Sequence, residues 1–173
     1  MMVEDKLLFL KYALPCASTL VRRGVVSQDY VDNLIRLVSE GKVPEKGAES
    51  MFKVANAVCE YIARDMGKST IDAKVIRSYF LLNHSKVVDE RFETMKDFNP
   101  TDCKTYSGIV TEVNGDSAVV ETVLGRKRYR TDFCSDVKKD DRVAVHFDFI
   151  VEKISAELSK RMNEARVAYE ERN

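Results

Sequence analysis

Residues 101 to 121 read "TDCKTYSGIVTEVNGDSAVVE". Ile109, Thr111 and Val113 alternate with Gly108, Val110 and Glu112, and a period of two is the signature of a strand with two distinct faces. Asn114-Gly115-Asp116 then supplies a tight turn, because asparagine and glycine accept positive φ. "SAVVETV", residues 117 to 123, returns as a second strand. This stretch therefore predicts a β hairpin, and with it a change in the character of the chain near "KDFNPTDC", residues 96 to 103. Before that point the apolar residues recur at helical spacing; after it they mostly alternate.

Downstream, Leu124-Gly125 reads as a second turn, "RKRYRTD" (126–132) as a third strand and "KKDD" (138–141) as a further turn. "RVAVHFDFIV", residues 142 to 151, reads as one long strand with Val143, Val145, Phe147, Phe149 and Val151 on a common face. A final helix carries Ile154, Leu158, Met162, Ala165 and Tyr169 on one stripe. Several short strands in so short a span predict a small OB-like β barrel with a C-terminal helix.

Upstream, Leu7, Leu10 and Leu14 open an apolar helical stripe that Pro15 should kink or end. Ser27 can cap a second helix with Tyr30, Leu34, Leu37 and Val38, and Met51 to Ile62 predicts a third. Thr70 can cap a fourth, with Ile71, Val75, Ile76 and Tyr79, and Val88, Phe92 and Met95 predict a fifth. The expected architecture is α+β: an all-α helical bundle over residues 1–97 and an OB-like barrel with its helix over 98–173.

Composition narrows the function classes. The 173 residues are 45% hydrophobic and 32% charged, as in ordinary globular domains. Basic and acidic residues number 28 each, so no global charge points to nucleic acid or to an anionic membrane. No apolar run approaches the ~18 residues of a membrane span. The opening "MMVEDKLLFLKYALPCAS" has acidic residues before its apolar patch and Lys11 within it, unlike a signal peptide, so cytoplasmic location is the expectation. "RKRYR" (126–130) could serve an OB-like nucleic-acid binder, but one five-residue basic run reads better as a solvated face. There is no dinucleotide or P-loop glycine pattern, no H-E-x-x-H and no serine elbow, so the chain does not read as an enzyme.

The candidate chemistry rests on few residues. Cys16, Cys59, Cys103 and Cys134 show no C-x-x-C spacing, and the commonest role of a lone cysteine is as a small buried hydrophobe. His84, in "LLNHSKV" at a helix junction, reads as having no catalytic or metal role. Strand periodicity sets His146 off from Val145 and Phe147, on a smaller and more polar face with Ala144 and Asp148. There it could hold a metal or move a proton, with Asp148 as an orienting partner, or simply face solvent. Cys103 and His146 could also form a nucleophile–base pair, though no oxyanion-hole motif stands beside them.

Residues 103 to 169 resemble the HypC/HupF family of hydrogenase maturation chaperones. Family members open with a cysteine, four residues, a glycine and a β hairpin; here these are Cys103, Gly108 and the Asn114-Gly115-Asp116 turn. A later family stretch, roughly "D-V-K-x-G-D-x-V-L-V-H-x-G-F-A-I-E-K-I", aligns with "DVKKDDRVAVHFDFIVEKI", residues 136 to 154. The chain differs in having Cys103 internal, Ser107 for a proline, and Asp140 and Asp148 for glycines. The resemblance implies an OB-like barrel and a non-enzymatic protein. It implies a carrier of iron, as the Fe(CN)2CO group of nickel–iron hydrogenases. Its implied partners are a HypD-type scaffold and the hydrogenase large-subunit precursor. Carried over by register, Cys103 and His146 would be the metal-binding residues, with Gly108, Asp148 and Phe149 meeting the partner. A thiolate suits low-valent iron, and two ligands with no third nearby would suit a carrier that must release its metal. A HypC-like interaction module without metal transfer is the alternative reading.

Overall fold

A computed structural model describes residues 1–44, 47–92 and 99–170, without the side chains of residues 91, 92 and 170. The chain divides into two compact units, Met1–Phe80 and Leu81–Asn173. His84 lies in the same unit as the barrel.

The first unit is helical but not all-α. Strand β1 (Met2–Val3) pairs in parallel with β2 (Thr70–Ile71), Met2 beside Thr70 and Val3 beside Ile71. Thr70 thus lies in a strand and caps no helix; two β residues are too few to leave a periodic signal. Helix α1 (Lys6–Ala13) gives way to a 3₁₀ turn, Leu14–Cys16, at Pro15, whose ring cannot donate to the α ladder. Helix α2 (Ala17–Arg22) ends before Gly24 in the left-handed conformation. Helix α3 (Gln28–Ser39) is capped by Ser27, whose hydroxyl accepts from the Tyr30 N–H at 3.2 Å. Helices α4 (Lys53–Asp65) and α5 (Ala73–Arg77) follow, the latter capped by Asp72. Phe9, Tyr12 and Phe80 form the aromatic centre of this unit, with Tyr12 stacked on Phe80 at 5.0 Å.

A π-helical stretch, Ser78–Asn83, runs into α6 (His84–Phe92). The Met95 position of the predicted fifth helix lies outside the described residues. A one-turn helix, α7 (Pro100–Cys103), with Asn99 as its cap and proline at its first position, precedes the barrel and was not anticipated.

The barrel has five strands: β3 (Thr105–Asn114), β4 (Ser117–Thr122), β5 (Gly125–Arg130), β6 (Arg142–His146) and β7 (Phe149–Lys153). It is closed, in the order β3-β4-β5-β7-β6, with β6 returning to β3. All neighbouring pairs are antiparallel except β5 with β7. Tyr106, Val110, Ala118, Val120, Tyr129, Val143, Val145 and Ile150 fill the interior. Gly108 lets β3 and β4 approach closely: a Cβ there would lie 2.5 Å from Val120 Cγ1 and 2.7 Å from the Glu121 carbonyl. The C-terminal helix is α8 (Ala156–Glu170).

The single strand expected over 142–151 is instead the hairpin β6–β7. Phe147 takes φ 51°, and after it the chain reverses, so His146 faces Phe149 across the ladder. The phase inverts across the reversal, Val143 and Val145 filling the interior before it and Ile150 after it, but the continuous run of apolar residues conceals the turn. Among the described residues, no helix is long and apolar enough to cross a membrane.

Candidate metal centre

His146 is fully buried, not on a polar, solvent-facing side of a strand. It closes β6, where Val143 and Val145 point into the barrel and His146 to the outside of the wall. Its cross-strand neighbour is Thr105. The main-chain N–H of Phe147 donates to the Asp102 carbonyl at 3.2 Å, which ties the hairpin turn to α7. That bond brings Cys103, at the end of α7, against His146.

Three groups converge there. Cys103 and His84 are each 4% exposed and His146 is 0% exposed, so all three donors lie out of bulk water. Their ligand atoms lie within 4.8 Å of one another. The His146 ring donates from Nε2 to the carbonyl of Cys103 at 2.7 Å, since a carbonyl can only accept. In the neutral ring this leaves Nδ1 as the lone-pair nitrogen, the division of labour found in metal-binding imidazoles held by a backbone carbonyl. The His84 and His146 rings meet edge to face, with centroids 4.9 Å apart and planes at 79°. His84 is also hydrogen-bonded to the Cys103 side chain. Burial pushes the His84 pKa below its usual value; the Cys103 thiol pulls it back and the neighbouring His146 lowers it further. At neutral pH His84 is therefore the uncharged ring that a metal ion requires.

The elements explain the convergence. His84 sits at the junction of the π-helical stretch and α6, and π turns are rare and recur at functional sites. Lys104 pairs with Asp89 at 2.8 Å and fastens α6 to the start of β3. One thiol and two imidazoles form a borderline-soft donor set that fits Zn²⁺, Fe²⁺ or Co²⁺. Bonds of about 2.0–2.3 Å require donors about 3.5 Å apart, so small side-chain rotations would close the set on an ion.

Of the residues singled out from the sequence, Cys103 and His146 meet. His84, read as having no such role, joins them as a third donor, so the picture of two ligands with no third nearby does not hold. The chain has only two histidines, and they touch; no spacing rule links residues so far apart. Cys134 packs in the barrel core with Sγ 3.7 Å from Asp136 Oδ1, away from this cluster.

Asp148 does not orient His146. It lies in the turn, where its carboxylate pairs with Lys127 at 2.8 Å and its carbonyl accepts from the Arg130 N–H. Phe149 is buried, stacked on Phe133 at 4.9 Å and covered by the Arg130 guanidinium. Gly108 is buried against β4. In "RKRYR", Arg126, Lys127 and Arg130 pair with Glu112, Asp148 and Asp132, while Tyr129 is buried in the barrel. The run thus offers no aromatic face for a base to stack on. No protein-family model matches the chain, and no curated protein matches it.

Proposed function

We propose that the barrel unit binds one first-row transition-metal ion through Cys103, His84 and His146, and that it serves as a HypC-like carrier of iron in hydrogenase maturation. The observation that carries this reading is the convergence of one thiol and two imidazoles within 4.8 Å. Two of the three are the residues that the HypC/HupF resemblance selects by register.

Further features support the same reading. The strand order, numbered within the barrel, is one-two-three-five-four, with three and five parallel, which favours an OB-like barrel. Asp140 takes φ 70°, the left-handed conformation that a glycine would adopt at that turn. On this reading iron arrives as Fe(CN)2CO or its precursor from a HypD-type scaffold and passes to the large-subunit precursor, and the protein catalyses no reaction itself.

The test is anaerobic co-expression with a HypD-type partner, comparing wild type with Cys103→Ser. Co-purified partner, iron and infrared bands of bound cyanide and carbonyl are expected only with the cysteine. A folded wild-type protein that carries neither iron nor partner overturns the proposal.

The depth of the site favours one competing reading. Three donors at 0–4% exposure can hold a metal that is never handed on, which would make the barrel a metal-stabilised interaction module. Transfer to a chelator separates the two: a carrier releases its ion within minutes, and a structural site retains it until the protein unfolds.

A further inference from the structure

Beside the metal-site residues, and independent of any metal, the barrel unit holds a cleft of about 210 Å³. Lys86 of α6, Lys104 and Thr105 at the start of β3, and Arg166 of α8 supply its polar wall. Leu124, at the β4–β5 turn, and Met162 stand for its apolar wall. Among the described residues no carboxylate lines it. Asp89 offsets Lys104 from outside the cleft, whereas the Lys86–Glu90 pair, 3.8 Å apart and more than half exposed, neutralises little.

Thr105 is the telling residue. It is 7% exposed, it lines the cleft, and its Oγ1 is buried with no hydrogen-bond partner. A stranded buried hydroxyl costs about 1–3 kcal/mol, so such groups ordinarily have a partner. A ligand oxygen in the cleft would provide one. Leu124 is 58% exposed and Val123 56%, so the rim beside these donors is apolar and uncovered.

We propose that this cleft binds a small organic carboxylate with an apolar body. The carboxylate would accept from Thr105 Oγ1 and from the Lys86 ammonium, which its long, exposed pair with Glu90 leaves able to turn to a ligand. The apolar body would lie on Met162 and Leu124. The cleft is smaller than the ~300–1,000 Å³ of sites for drug-sized molecules, which restricts the occupant to a short chain or one ring. Charge complementarity selects an anion, and the apolar wall selects against a bare inorganic one.

The experiment is a nuclear magnetic resonance titration of the full chain with hexanoate, with inorganic phosphate and 1-hexanol as parallel probes. Hexanoate is expected to shift the signals of Thr105, Leu124 and Met162 in a saturable way, with phosphate and hexanol at least about tenfold weaker. Thr105→Val keeps the side chain's shape and removes only the hydroxyl. It should weaken hexanoate by about tenfold or more, the value of a hydrogen bond to a charged group. Lys86→Met should also weaken it measurably, and remains informative if the valine variant loses its native spectrum. Phosphate binding as tightly as hexanoate, hexanoate binding that both variants leave unchanged, or no saturable shift overturns the proposal.

Discussion

His146 Nε2 donates to the backbone carbonyl of Cys103 across 2.7 Å, although the two residues are 43 positions apart. This single bond joins the end of β6 to the end of α7. It also fixes which nitrogen of the imidazole carries the proton, so it acts on both the fold and the chemistry of the site.

The two residues should accordingly fail in different ways. His146→Ala strands the buried Cys103 carbonyl and opens a hole, and is expected to cost the metal-free protein at least about 1–3 kcal/mol. Cys103→Ser retains that carbonyl and nearly the same volume, so its midpoint in urea should move much less. Cobalt(II) added to the wild type should give a sulfur-to-metal absorption band that Cys103→Ser lacks. Equal destabilisation by both variants would show that the carbonyl bond is not what matters.

The barrel was largely legible in the sequence, and the site only in part. Asn114-Gly115 and Leu124-Gly125 announce their turns because positive φ demands particular residues, and Gly115 and Gly125 take φ 60° and 99°. Phe147 reverses the chain at φ 51° with no such residue, so the β6–β7 hairpin read as one strand and His146 appeared half exposed. His84 was missed for a different reason. Its place beside Cys103 and His146 depends on where α6 lies against the barrel wall, a long-range packing outcome that local periodicity does not encode. Val3 and Ile71 pair over two residues only, too short a span for any pattern to register.

Gly108 tests whether close approach of strands, rather than partner contact, explains a residue of the resemblance. The Cβ of Gly108→Ala would lie 2.5 Å from Val120 Cγ1, 2.7 Å from the Glu121 carbonyl and 2.9 Å from Thr122 Cγ2. A valine methyl can rotate, but the carbonyl belongs to the ladder and cannot. The substitution is expected to destabilise the protein by about 1–3 kcal/mol in a urea titration. A stable variant with weakened partner binding would instead assign Gly108 to an interface.

Asp140 bears the opposite prediction. Its φ of 70° costs most side chains about 1–2 kcal/mol, and aspartate less, because its short side chain tolerates that region. Asp140→Gly should leave stability unchanged or raise it by up to about 1 kcal/mol. Asp140→Val, branched at Cβ, should lower it by more than that. Its N–H donates to the Val110 carbonyl at 2.8 Å, so the turn itself is held by the ladder and should persist in both variants. Thermal unfolding of the three proteins decides the matter, and a glycine variant less stable than the parent would show that the aspartate side chain contributes more than its backbone strain costs.

Cys59 shows what a cysteine without a site looks like. It is fully buried on α4, and burial raises its pKa to about 12. A thiol reacts as its thiolate, so at pH 9 only about a thousandth of Cys59 is in the reactive form, even before access is considered. The folded pKa lies above the usual 9.0, so the folded thiol stays protonated where the unfolded one ionises. Its contribution to stability is therefore intact below about pH 9 and declines as pH rises from there toward 12. Iodoacetamide at pH 9, followed by peptide mass analysis, should leave Cys59 unlabelled in the native protein and label it fully in urea. Rapid native labelling would mean that α4 opens locally, and Cys59→Ala, which removes the thiol but keeps a small apolar group, would then lose that labelled peptide and no other.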